Sequence, residues 1–324
     1  MALAEGSDSL RARSAGGLGG PPPAAPHLQV VPNVSEGRDR GVIRALGDAV
    51  EAAGVRLLDV HADVDHHRSV FTYLGAPDAV ERATLALARV AVERIDLRRH
   101  QGVHPRVGAV DVVPFIPLRG TSMAEAVQCA RRVGRAFSEA TGVPVFFYAE
   151  AAANPARREL PVIRWGGFEG LAERLVDPAW YPDCGAAAPH PRAGVTVVGA
   201  RGPLIAFNAM LDTPDVATAK SIAAVVRQSA PGGLPAVRAL GVSLASRGIA
   251  QVAMNLLDHR RTSPAAVADR VEREAQARGV AVREWELVGC APADAWTDWT
   301  TTSRVLDARP EQILDAALFT IPGD

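Results

Sequence analysis

Two histidines four residues apart, His100 and His104, and three arginines, Arg98, Arg99 and Arg106, crowd into the stretch RRHQGVHPRVGAVDVVPFIP that runs from Arg98 to Pro117. Imidazole changes charge near neutral pH, so a histidine here could carry a proton. A guanidinium presents a planar fork of donors that matches a carboxylate. Arg106 lies two residues from His104 and shares its face if the segment is extended. It would also lower the pKa of His104 slightly and favour the neutral base. Residue types leave both assignments open. A histidine in a loop before a strand is more often structural than catalytic, and Arg106 could instead pair with a neighbouring acid such as Asp111.

The elements that must position these side chains flank them. Pro77 opens a helical pattern that continues to about Ile95, with Val80, Ala83, Leu87 and Val90 along it. Val107 to Ile116 is an apolar, β-branched run that reads as a buried strand. Between them, Gly102 frees φ and Pro105 biases His104 toward extended geometry, so the connection is not helical and His104 stands at a strand mouth.

A second cluster, HADVDHH at residues 61–67, places three histidines and two aspartates before Arg68, where a strand begins. Arg68 is a further candidate for holding a substrate carboxylate. Asp65 and Asp63 could orient a histidine or accept a proton, and Asp is also a turn residue.

Composition narrows the class. Lys plus Arg is 35 and Asp plus Glu is 36, so no net field points to nucleic acid or a membrane surface. Cys129, Cys184 and Cys290 lack metal-like spacing, which argues against a zinc site or a disulfide framework, and no metal is expected. No apolar run approaches the roughly 18 residues of a membrane helix. Residues 1–26 lack the order of a signal peptide and read as a disordered leader on a cytoplasmic protein.

Along the chain, His27 to Val34 reads as a strand, Ser35 offers an N-cap for a helix over Gly41 to Ala53, and Val55 to Val60 and Ser69 to Leu74 read as strands. Ser122 caps a helix to about Thr141, and Pro144 to Tyr148 is a strand. The first half is therefore β-α-β-β-α-β with an appended α-β, the split βαβ of a ferredoxin-like layer. Strands at Pro235 to Leu244, Ile249 to Leu256 and Val280 to Val288, with helices at Val216 to Gln228 and Pro264 to Arg278, repeat it. The expected fold is α/β (α+β), two ferredoxin-like subdomains over residues 27–202 and 203–324, each a mixed or antiparallel sheet covered by helices. No G-x-G-x-x-G follows a strand, so dinucleotide chemistry is unsupported.

The segment HxGxHPRxGAxDVxPFIP resembles the signature of the glutamate formiminotransferase family. VPNVSEGRD at Val31, LLDVHADVDHHRSVFTYLG at Leu57, VPVFFYAEAA at Val143, RRELPVIRWGGFEGL at Arg157, PDCGAAAPHPRAGVTVVGAR at Pro182, LIAFN at Leu204 and QVAMNLLD at Gln251 agree in order. The resemblance implies transfer of a formimino group from N-formiminoglutamate to N5 of tetrahydrofolate, the co-substrate, by a homodimer. It places the proton-carrying role on His104 and gives His100 a supporting one. Asn33, in the first of these blocks, and Asp65 are further candidates for polar support. The family's folate-binding loop falls on Gly185, Ala186, Ala187, Ala188, Pro189, His190, Pro191, Arg192, Ala193 and Gly194, where small residues allow close approach of backbone to a flat ring.

Four departures from the family pattern bear on the chemistry: Val103 stands where a Glu is usual, His67 where an Asn is, Cys184 where a Phe is and Ala186 where a Pro is. They keep a related folate-dependent formyl transfer, and a non-catalytic small-molecule-binding role, as alternatives. The chain ends at Asp324 without room for a cyclodeaminase domain, which implies a monofunctional enzyme.

Overall fold

The computed structural model describes residues 27–118, 120–299 and 305–315, so the leader expected over residues 1–26 lies outside the described residues. The chain divides at Gly202 and Pro203 into two compact units.

In the first unit, β1 (Leu28–Val30) and β2 (Asn33–Val34) share one position in the sheet. There they pair antiparallel with both β4 (Arg68–Gly75) and β5 (Val110–Pro117). β3 (Arg56–Asp63) lies antiparallel outside β4. On the other side β7 (Thr196–Ala200) pairs parallel with β5 and with β6 (Val145–Ala149). Numbered by their order in the βαββαβ run, the first four strand positions lie 4-1-3-2 across the sheet.

Three helices cover one face: α1 (Arg40–Glu51), α2 (Pro77–Arg94) and α3 (Met123–Thr141). Leu46, Val50, Leu87, Ala91, Val133 and Phe137 on them pack against Val30, Phe71, Tyr73 and Phe115 of the strands. Such burial of large apolar side chains stabilises by roughly 1.5–3 kcal/mol apiece. Two short helices, α4 (Leu160–Arg164) and α5 (Leu171–Arg174), bring Ile163 and Leu171 onto Val112, Phe146 and Val197 of the opposite face. Strand β5 is consequently buried along its whole length.

Local chemistry sets the ends of these elements. Ser122 and Glu125 form a reciprocal capping box at the start of α3, and Gly142 closes that helix at φ 71°. Helix α1 departs from the sequence expectation. Asp39, not Ser35, is its N-cap, accepting from the N–H groups of Gly41 and Val42. Ser35 instead donates to the carbonyl of Gly108 at 2.7 Å, fastening the end of β2 to the mouth of β5.

In the second unit, β11 (Val282–Val288), β8 (Ile205–Leu211), β10 (Ile249–Leu256) and β9 (Val237–Leu244) pair antiparallel in that spatial order, again 4-1-3-2. Helices α6 (Val216–Val226) and α7 (Pro264–Gln276) cover one face, where Phe207 stacks on Trp285 at 4.8 Å. Fold class and subdomain count follow the sequence reading: two α+β units, each a sheet covered by helices.

Candidate functional site

Strand register brings the first polar pair together. Asn33 on β2 lies opposite Val70 on β4, so Arg68, two residues earlier on β4, shares its face as a diagonal neighbour. Arg68 Nη1 donates to Asn33 Oδ1 at 3.0 Å, and Asn33 Nδ2 donates to the Val31 carbonyl at 3.1 Å.

The histidine-bearing connection lies across the turn between β3 and β4. Asp63 Oδ1 accepts from the N–H groups of Asp65 and His66 and shapes that turn. The Asp65 carbonyl receives the N–H of Val103 at 3.0 Å, and the Gln101 carbonyl receives Arg38 Nη2 at 2.9 Å. Gly102 passes so near the turn that a Cβ there would lie 2.3 Å from the His66 carbonyl oxygen, which is why this position has no side chain.

That docking brings His104 to Arg68. The Arg68 Nη1 group donates to His104 Nε2 at 2.9 Å, and His104 Nδ1 lies 2.8 Å from the carbonyl of Pro105. A carbonyl only accepts and a guanidinium only donates, so both contacts are made only by a neutral ring protonated at Nδ1, with its lone pair on Nε2. His66 stacks at a centroid distance of 5.8 Å. Burial, then the charges of Arg68 and Arg164 and the nearby His66, hold His104 well below the usual imidazole range. Arg106, expected to do this, does not face it.

Arg106 turns to His100 instead. Its Nε donates to His100 Nδ1 at 3.0 Å, and its two terminal nitrogens grip Glu169 at 2.9 and 2.7 Å. The partner acid is therefore Glu169, not Asp111. Buried Asp111 accepts the N–H of Val107 at 2.7 Å and binds Arg164 through its other oxygen. His100 Nε2 donates to the His67 carbonyl at 2.7 Å, and its ring stacks on His67 at 4.1 Å. Burial brings His100 down to about 4. Both ring nitrogens of His67 face acceptors, the Gln101 carbonyl at 3.1 Å and Glu36 at 3.2 Å. Burial pushes Glu36 up, but hydrogen bonds with His67 and with the N–H groups of Asp39 and Arg38 outweigh it and hold the carboxyl at about 2.

The loop at residues 185–194 is fastened at its far end. His190 Nδ1 accepts from the N–H groups of Arg192 and Ala193, and Arg192 lies 3.6 Å from Asp96. The Arg192 carbonyl receives the N–H of Leu97, and the Ala193 carbonyl that of Ala109. The loop therefore clasps the connection on both sides of His104. Gly185, Ala186, Ala187 and Ala188 are exposed.

The sequence-selected residues thus form two groups: His104 with Arg68 and Asn33, and His100 with Arg106. Sequence reading missed Arg164, Glu36 and Glu169, and it placed His66 in the cluster at residues 61–67 without giving it a role. Asp111 carried the one available signal, because a carboxylate inside an apolar strand requires a buried partner. Among the described residues no three His, Cys, Asp or Glu side chains are grouped to hold a metal.

Comparison with known proteins covers both units. The formiminotransferase domain, N-terminal subdomain, matches residues 27–201, and the formiminotransferase domain matches residues 206–302. The glutamate formimidoyltransferase of Streptococcus pyogenes serotype M1 is 41% identical over 272 residues, covering 84% of this chain and 91% of that protein. That of Thermoplasma acidophilum is 39% identical over 274 residues, 84% and 90% of the two chains. The formimidoyltransferase-cyclodeaminase of Gallus gallus is 44% identical over 278 residues, and the chain spans only 51% of it. With both subdomains matched in order, and with two relatives near 40% identity covered over nine-tenths of their length, the chain belongs to the formiminotransferase family.

Proposed function

We propose that this protein transfers the formimino group of N-formiminoglutamate to N5 of tetrahydrofolate, on paired ferredoxin-like subdomains, with His104 as the proton carrier. N5 attacks the formimino carbon and the N5–C bond forms. The N5 proton passes to His104 Nε2, the bond from carbon to the glutamate nitrogen breaks, and His104 returns the proton to the departing amine. Glutamate leaves, and the imidazole is neutral again.

The observation that carries this reading is the neutral His104 ring with its lone pair on Nε2, among cations and beside the Arg68 fork. Such a base stays unprotonated below neutral pH and lies beside a group suited to the donor's carboxylate. The exposed small residues at 185–188 supply a surface that a flat pterin can approach. A turnover assay with N-formiminoglutamate and tetrahydrofolate tests the proposal. His104→Asn should reduce kcat by about 10²- to 10⁴-fold, the usual worth of a positioned base. Turnover at a near-native rate in that variant would remove His104 from the role.

A further inference from the structure

The resting geometry of His104 is at odds with its use as a base, and the inference that follows rests on the proton-carrying role proposed above. Its Nδ1–H is committed to the Pro105 carbonyl, and its lone pair on Nε2 is occupied by Arg68 Nη1 at 2.9 Å. A proton arriving at Nε2 would set two donors against each other and place a second positive charge beside a guanidinium. Arg68, Arg164 and His66 all act on the ring in the same direction, against its protonation. Arg68 begins β4, Arg164 ends α4 with Asp111 of β5 bound to it, and His66 comes from the β3–β4 turn, where Asp63 is held by backbone N–H groups.

The same Nη1 of Arg68 also donates to the Asn33 side-chain oxygen at 3.0 Å, so it can leave the imidazole and still be held by Asn33. A carboxylate carries the opposite charge and can take two parallel N–H bonds from a guanidinium fork, whereas a neutral imidazole nitrogen takes one. A carboxylate brought within reach therefore competes for Arg68 on better terms than a neutral imidazole does.

We infer that Arg68 is a carboxylate-released cap on His104: a carboxylate of the amino-acid donor draws the guanidinium off Nε2, and the base is uncovered only when that donor is bound. Arg68 is then a positioning and specificity residue. It does not merely add affinity, because a donor lacking the carboxylate would bind beside a base that is still covered, and its loss would appear in kcat.

Three measurements test this. In protein labelled with ¹⁵N-histidine, glutarate is the probe, a dicarboxylate without the formimino group. Bound glutarate should raise the titration midpoint of His104 by roughly one pH unit or more, as expected when a neighbouring cation is neutralised. In Arg68→Gln the midpoint should already be raised, and glutarate should leave it in place. Kinetically, the acid limb of kcat, which reports the donor complex, should lie at higher pH than the limb of kcat/KM, which reports the free enzyme. Replacing the donor's carboxylates by amides should lower kcat at least about tenfold in the native enzyme, a ratio that should collapse toward one in Arg68→Gln.

An unmoved His104 midpoint with glutarate bound, failure of glutarate to bind, coincident limbs, or an unchanged acid-to-amide ratio in Arg68→Gln would each overturn the cap. Formimino transfer that survives His104→Asn would overturn the proton-carrying role itself. The two failures are therefore told apart.

Discussion

Arg106 and His100 show how a residue chosen for chemistry can serve the scaffold. The Arg106 fork is filled by Glu169, and its Nε donates to Nδ1 of His100, the ring nitrogen not bonded to the His67 carbonyl. Arg106→Lys should cost roughly 1–3 kcal/mol of stability, because His100 Nδ1 loses its donor inside the fold. Urea unfolding would report that cost, and KM for either substrate should change less than threefold. The same pair sets an acid sensitivity. His100 is held neutral at about 4 against an unfolded value near 6.5, so the unfolded chain binds the extra proton between those values. Stability should therefore fall as pH drops from about 6.5 toward 4, by about 2 kcal/mol at pH 5 from this group. His100→Gln should shrink the difference in unfolding free energy between pH 7 and pH 5 by that amount. His104 could be singled out as a candidate because Gly102, Pro105 and the motif around them mark it. Arg164 and Glu169 were not, since their partners lie 53 and 63 residues away and no local pattern encodes such pairings.

At the scale of elements, periodicity and capping chemistry carried most of the information. Helix α3 begins at Ser122 as its S-x-x-E pattern requires, and α2 begins at Pro77. Ser35 misled because two side chains able to cap, Ser35 and Asp39, stand within five residues, and only tertiary packing assigns Ser35 to Gly108. The connection at residues 100–106 depends on close backbone approach more than on any side chain. Gly102→Ala would force a Cβ to 2.3 Å from the His66 oxygen and 2.9 Å from His67 Cβ, so the connection must lift from the turn. Expected are a loss of roughly 1–3 kcal/mol, typical of overpacking, and a larger proportional fall in kcat than in folate affinity, because His104 moves with the backbone. Thermal unfolding and steady-state kinetics on one preparation would separate the two effects.

At the scale of the whole molecule, the division at Gly202 follows from two sheets that each need their own helical cover. The repeated β-α-β-β-α-β pattern made that organisation readable. What pattern could not give was the place of β7, because a five-residue apolar run can join either edge of a sheet or its middle. Deleting residues 1–26 should leave Tm and kcat unchanged within error, as their Gly, Pro, Ala and Ser content suggests and as the family match beginning at residue 27 supports. A fall in either would show that this segment contributes to the body.

The position of β7 has a consequence for synthesis. Strands β5 and β6 are complete by residue 149 but do not pair with each other; the strand that joins them, Thr196–Ala200, emerges about fifty residues later. At ribosomal rates of about 5–20 residues per second, the nascent chain carries two open strand edges for several seconds. The segment that closes them also brings Ala193 and Gly194 onto the histidine-bearing connection. The first unit is therefore exposed to misassociation until its last strand arrives, and the histidine-bearing connection is clasped only at that moment. Ribosome-bound chains halted before residue 195 should be held by chaperones and cleaved readily by protease, whereas chains with residues 196–202 clear of the exit tunnel should resist cleavage.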